Sequence, residues 1–213
     1  NIMPNWSLSP IHNLNEFLVN FFPNFKKHNI GSNASRGRDV NNLMDKSKIH
    51  LEFTEEEEML GKKYLKSFGV SEKDKFVCLA VNDPAYLDTY HSYKDWNYHY
   101  FRKANIDNFI LAAEELASRG YFVFRMGKIV SSPLKSSNHK IIDYASSNSR
   151  NDFMDIYLGA KCTFCISASS GFDGVTTTFR RPLVQIVVPL LDAKTEHKEV
   201  LILTKHHFSK KKK

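Results

Sequence analysis

The sequence predicts an α/β fold, a mostly parallel sheet with helices packed on both faces. Three observations carry this. The run Lys75-Phe-Val-Cys-Leu-Ala-Val81 is continuously apolar rather than alternating, as a strand covered on both faces is, and Tyr121–Arg125 and Leu183–Val188 read as further strands. Helix-type periodicity separates them. From residue 54 to 188 the order reads α-β-α-β-β-α-β-α-β, the alternation from which parallel sheets are built.

Residues 1–50 carry few periodic features and read as a linker or the remnant of a preceding domain. Within them Phe17-Leu-Val-Asn-Phe-Phe22 predicts a short helix ending before Pro23, and the segment 29–42 is rich in Asn, Ser, Gly and Arg, as a crossing or loop is. Thr54-Glu-Glu-Glu57 is a capping box. It opens a helix whose Leu60, Tyr64, Leu65 and Phe68 share one face, with Gly69 as its stop. The acidic run Glu55–Glu58 then complements the helix dipole. After the strand at 75–81 come Asn82-Asp-Pro84 and a long aromatic loop holding His91, Tyr93, Trp96, Tyr98, His99, Tyr100 and Arg102.

Asn105–Ser118 is amphipathic, with Ile106, Phe109, Ile110, Ala113, Leu116 and Ala117 as its stripe and Gly120 as its end. The strand Tyr121–Arg125 runs into Met126-Gly127, and Lys140–Tyr144 is a brief strand. Asp152–Ala160 is helical, Cys162–Ile166 a strand, Gly171–Phe179 helical and Leu183–Val188 a strand. The domain is drawn over 51–205, with 206–213 as the basic tail of a truncated chain. Asn1 in place of methionine and the ending Phe208-Ser-Lys-Lys-Lys-Lys213 make the chain read as a piece of a longer reading frame.

With 42% apolar and 13% aromatic residues the chain is no disordered segment. Its net charge of +7 is spread between the lysine tail and scattered pairs. No arginine-rich helix or RNA-binding aromatic signature accompanies it, which argues against a nucleic-acid partner. Cys162 and Cys165 would face opposite sides of a strand, so with Cys78 they read as buried structural thiols in a reducing, cytoplasmic setting. No metal-ligand spacing stands out.

Ligands of open parallel sheets bind beyond the carboxyl ends of the strands. This chain places Asn82 and Asp83 there, then Arg125 and Gly127, then Asp143 and Tyr144, then Ser167, Ser169, Ser170 and Gly171, with Arg150 and Asp152 feeding the same edge. Small hydroxyl residues and a glycine before a helix suit an anion, and arginine with carboxylates suits a diphosphate joined to a sugar. Each residue also has a plainer use. Asp83 before Pro84 can be a turn, Arg125 can pair with Asp143 or Asp152, Asp152 and Asp155 can be first-turn charges, and the serines can be caps.

The ordered motifs Val77-Cys-Leu-Ala-Val-Asn-Asp-Pro-Ala-Tyr86, Tyr100-Phe-Arg-Lys-Ala-Asn-Ile-Asp107, Gly120-Tyr-Phe-Val-Phe-Arg-Met-Gly127, Ile142-Asp-Tyr-Ala145, Ser149-Arg-Asn-Asp-Phe-Met-Asp-Ile-Tyr157 and Ser167-Ala-Ser-Ser-Gly171 resemble a bacterial family of glycosyltransferases found with surface-polysaccharide genes. The resemblance spans roughly 36–205. It implies the Rossmann-like, donor-side C-terminal half of a GT-B enzyme, which takes a nucleoside-diphosphate sugar as substrate and needs no metal or other cofactor. The acceptor would be a saccharide or lipid-linked, with peripheral association at the inner membrane face.

By that resemblance Arg125, Asn82, Ser167, Ser169, Ser170 and Gly171 hold the donor diphosphate. Gly127, Asp143, Tyr144 and Arg150 meet the sugar or nucleoside, and Asp83 or Asp152 orients sugar hydroxyls or acts as the catalytic base. The family's first motif, similar to the arginine motif of fucosyltransferase-like enzymes, reads His-Val-Arg-Asp. Here it is Ala80-Val-Asn-Asp83, without the histidine and the arginine. A non-catalytic nucleotide-sugar-binding module is therefore the second reading.

Overall fold

A computed structural model describes residues 5–22, 39, 42–93, 95–96, 103–189, 195 and 197–206. The chain divides into two compact units, 1–41 and 42–213. The first holds helix α1 (Asn5–Phe21), which is longer than the 17–22 segment its apolar run marks and contains Pro10. Pro10 brings no N–H donor to that helix.

The second unit is built on six strands, β1 (Phe76–Ala80), β2 (Phe122–Met126), β3 (Ile141–Ile142), β4 (Cys165–Ser167), β5 (Leu183–Val188) and β6 (Val200–Thr204). They lie in the order β3-β2-β1-β4-β5-β6, and each described pair is parallel. This is the order of the doubly wound, Rossmann-like sheet. The sixth strand extends the predicted alternation. Its short Val-Leu-Ile-Leu-Thr run lies on the sheet edge, where Leu201 and Leu203 are exposed.

β1 is flanked on both sides, which explains its unbroken burial. Alternate residues feed two cores. Phe76, Cys78 and Ala80 join Phe124, Tyr144, Met154 and Leu158 on one side, while Val77, Leu79 and Val81 join Phe109, Ala113 and Val123 on the other. Helices cover both.

The remaining helices are α2 (Leu43–Lys46), α3 (Glu55–Ser67), α4 (Ala85–Tyr90), α5 (Ile110–Ser118), α6 (Asp152–Lys161) and α7 (Asp173–Thr178). The capping box forms: Glu57 N–H donates to Thr54 Oγ1 at 3.2 Å, and Thr54 N–H to Glu57 Oε2 at 2.8 Å. The face of α3 that packs inward is Gly61, Tyr64, Leu65 and Phe68; Leu60, expected on that face, is exposed. Gly61 is what permits the approach, since a Cβ there would sit 2.2 Å from the Tyr157 ring. The stripe predicted at 105–118 opens as a 3-10 turn (Ile106–Phe109) capped by Asn105 before becoming α5.

One expectation about the thiols is corrected. Cys162 is the C-cap of α6 rather than a strand residue, because the preceding helix runs through Lys161. Cys78, Cys162 and Cys165 therefore share one core instead of facing opposite sides. All three are free and buried, and burial drives the Cys78 and Cys165 thiols well above their ordinary range. The tail from 207 onward, most of 29–42, and Tyr98, His99, Tyr100 and Arg102 lie outside the described residues.

Candidate functional site

The connections leaving β1 and β4 run in opposite directions across the sheet, so a crevice opens between their carboxyl ends. It measures about 500 Å³, and its walls include Ala80, Asn82, Tyr86, Gly127, Lys128 and Ser169–Gly171. The two sides touch where Asn82 Nδ2 donates to the Ser169 carbonyl at 3.4 Å. Ser169 sits in the left-handed region at φ 57, a conformation that costs a non-glycine residue about 1 kcal/mol or more and is held here by that contact. Gly127 is at φ 156, and a Cβ would meet Val130 Cγ1 at 2.8 Å. The turn that presents Lys128 thus requires glycine.

Arg125 does not line the crevice. It is 1% exposed, donates through Nη1 to the Ser132 carbonyl at 2.6 Å and to Asp143 Oδ1 at 3.3 Å, and places Nη2 3.7 Å from Asp83 Oδ2. Asp143 Oδ2 accepts the Leu134 N–H at 2.9 Å. Asp83 Oδ1 accepts the Ala85 N–H, and its Oδ2 accepts both the N–H and the hydroxyl of Ser131, all at 2.9 Å. Arg125, Asp83 and Asp143 therefore form a bracket that fixes the 131–134 segment against the end of β1. The structure brings these three strand-end residues together as one another's partners.

Tyr144 is fully buried. Its hydroxyl donates to the Asn151 carbonyl and accepts the Asn151 N–H, and burial raises its phenol above the ordinary range. That places it in the core, away from the wall expected to meet a sugar or base. Arg150 donates to Asp152 Oδ1 at 2.9 Å and to Asp155. Arg150 first, then Lys128, holds the exposed Asp152 below its usual value. Asp155, which does line the crevice, is pushed up by burial against the pull of Arg150.

The serine turn is engaged from within. Ser170 N–H donates to Ser167 Oγ at 3.3 Å, Ser170 Oγ donates to Asp173 Oδ1 at 3.3 Å, and Gln185 Nε2 donates to Asp173 Oδ2 at 2.9 Å. Burial raises the Asp173 carboxyl even so, with Ser167, Gln185 and Ser170 opposing it. Gly171 is exposed, and a Cβ there would meet nothing within 4 Å. Ser167 is fully buried and the Ser170 hydroxyl is engaged within the turn, while Ser169, Ser170 and Gly171 line the crevice.

Four wall or near-wall residues escaped the strand-end reading: Tyr86, Lys128, Asp155 and Asp173. Lys128 directly follows Gly127, and Asp173 stands three residues after Ser170 with the spacing of a capping partner. Those offsets were the available signals. Among the aromatic residues, Tyr86 and Tyr90 have ring centroids 5.0 Å apart, His91 lies 6.0 Å from Trp96, and Lys128 Nζ is 5.6 Å from the Tyr90 ring centre. Among the described residues no group of three or more His, Cys, Asp or Glu is placed to hold a metal ion.

Fold and crevice together define a Rossmann-like α/β domain with a cleft at its topological switch point. No protein-family model matches the chain, and no curated protein matches it. Two solved structures are similar to it. The ADP-heptose LPS heptosyltransferase II of E. coli shares 16% identity at a TM-score of 0.45, over 72% of this chain and 44% of that one. A glycosyl transferase of family 9 from Veillonella parvula shares 13% at 0.48, over 76% and 44%. The chain spans less than half the length of either structure.

Proposed function

We propose that this chain is the donor-side half of a GT-B-type glycosyltransferase of surface-polysaccharide assembly, binding a nucleoside-diphosphate sugar in the β1/β4 crevice. The observation that carries the reading is the crevice itself, lined by the strand-end segments whose sequence resembles that enzyme family. In this reading Asn82 and the 169–171 segment meet the diphosphate, with Gly127 keeping the wall low enough for its approach. Arg125 and Asp143 act through the bracket, as positioning residues. Of the two candidate catalytic carboxylates, Asp152 has an open face, whereas Asp83 is fully engaged.

The sugar would pass to a saccharide or lipid-linked acceptor at the cytoplasmic face of the membrane. Side chains and backbone donors would stabilise the leaving diphosphate without a metal. Contact with that surface is proposed as peripheral, and no described helix is long and apolar enough to cross a membrane. Isothermal titration of the intact chain with UDP, GDP and ADP in turn tests the donor reading. Saturable binding to at least one is expected, and heat indistinguishable from dilution for all three would defeat it.

One observation favours the second reading, a binding module without turnover. Ala80 and Asn82, which replace the histidine and arginine of the related motif, both line the crevice, so both losses fall on its wall. Restoring Ala80→His with Asn82→Arg and measuring donor hydrolysis separates the two. A gain supports a lapsed enzyme, and no gain leaves the binding module.

A further inference from the structure

We propose that Lys128 is the cation through which this crevice recognises a phosphate, with Asp152 as the partner that the phosphate displaces. The inference rests on the donor reading above and assigns the anion-binding charge within it. The two arginines at the strand ends have none to offer. Arg125 is buried between Asp83 and Asp143, and Arg150 is held by Asp152 and Asp155. Among the described residues lining the crevice, Lys128 is the one cation.

Its setting suits a switch of partners. Gly127 aims the turn at the crevice, and the Lys128 side chain remains 44% exposed. Its ammonium stands 5.6 Å from the Tyr90 ring centre, a cation–π distance that orients the side chain without neutralising it. The nearest carboxylate oxygen, Asp152 Oδ1, is 4.0 Å away, at the outer limit of an ion pair, and belongs to a side chain that is 81% exposed. Such a surface pair is weak. A phosphate oxygen at hydrogen-bond distance would outcompete it, and Asp152 would keep Arg150.

The test is calorimetric titration of the full chain and its variants with nucleoside diphosphates and, separately, inorganic pyrophosphate. Lys128→Ala should weaken binding about tenfold to a hundredfold, the worth of a charge-assisted hydrogen bond. Lys128→Arg should stay within about threefold, since it keeps the charge. Asp152→Asn should tighten binding up to about fivefold by removing the competitor. Unchanged affinity in Lys128→Ala, with its thermal transition intact, overturns the assignment while leaving the donor reading standing. Weaker binding in Asp152→Asn overturns the displacement. If no nucleoside diphosphate binds, the donor reading fails, and pyrophosphate decides Lys128 by itself. Binding lost in Lys128→Ala keeps the assignment, and absent or Lys128-independent binding removes it.

Discussion

Replacing Arg125 separates the two roles an arginine at a strand end can have. Arg125→Met retains most of the aliphatic volume and deletes the guanidinium. The loss strands Asp83 and Asp143, whose side chains are only 12% and 17% exposed. Removing one partner of a buried ion pair usually costs about 3–5 kcal/mol. Here the lower end, about 3 kcal/mol, is expected, because both carboxylates keep backbone donors, Ser131 N–H and Leu134 N–H. For a domain of this size that corresponds to a fall in Tm of roughly 6–12 °C. Thermal unfolding followed by circular dichroism measures this. Nucleotide affinity, read well below Tm, should stay within about threefold of wild type. An unchanged Tm together with lost nucleotide binding would refute the bracket and return Arg125 to the ligand.

Gly61→Ala gains helix propensity of about 1 kcal/mol yet drives a methyl into the Tyr157 ring, where overpacking costs about 1–3 kcal/mol, so a net loss of stability is expected in urea unfolding. A midpoint at or above wild type would show that α3 can shift without cost. Asp173→Asn addresses a carboxyl whose folded value is raised by burial. Such a group gives full stability below its unfolded value and loses it as pH rises through the folded one. The Asn variant should therefore gain on wild type between about pH 4 and 7, and Tm curves that stay parallel over that window would contradict the sign. The proposed glycosyl transfer should persist in excess chelator if side chains and backbone stabilise the leaving diphosphate, and activity abolished by chelator and restored by a divalent ion would overturn the metal-independent reading.

The fold was legible because its determinants are local. Continuous apolar runs mark strands covered on both faces, Thr54 with Glu57 writes a capping box, and Gly69 and Gly120, at φ 81 and 95, close their helices. Misread boundaries arose where neighbouring signals overlap. Cys162-Thr-Phe-Cys165 is apolar enough for a strand, yet α6 satisfies the Cys162 N–H through the Leu158 carbonyl, and β4 begins only at Cys165. Leu60 and Gly61 show the same limit. Periodicity places the larger apolar side chain inward, whereas close packing against Tyr157 selects the residue without one.

The gathering of the strand-end residues was legible in the sequence, and their wiring was not. That Asn82, Arg125, Asp143 and Ser167–Gly171 gather at one edge follows from strand ends in a parallel sheet. Which of them faces a ligand depends on partners far apart in sequence, and no motif encodes those. A strand residue's direction is set by its parity: Val123 and Arg125 point to the face opposite Phe124 and Met126, so Arg125 meets the loop carboxylates while Met126 reaches the crevice wall. The same parity hands the ligand-facing charge to the first residue past the strand that is free of it, and Gly127 turns the chain so that this residue is Lys128. A buried arginine needs carboxylates to be tolerable at all, and here it takes both that the strand ends supply. The charge most visible in the sequence is thereby the one least available to a substrate, and the lysine beside it inherits the role.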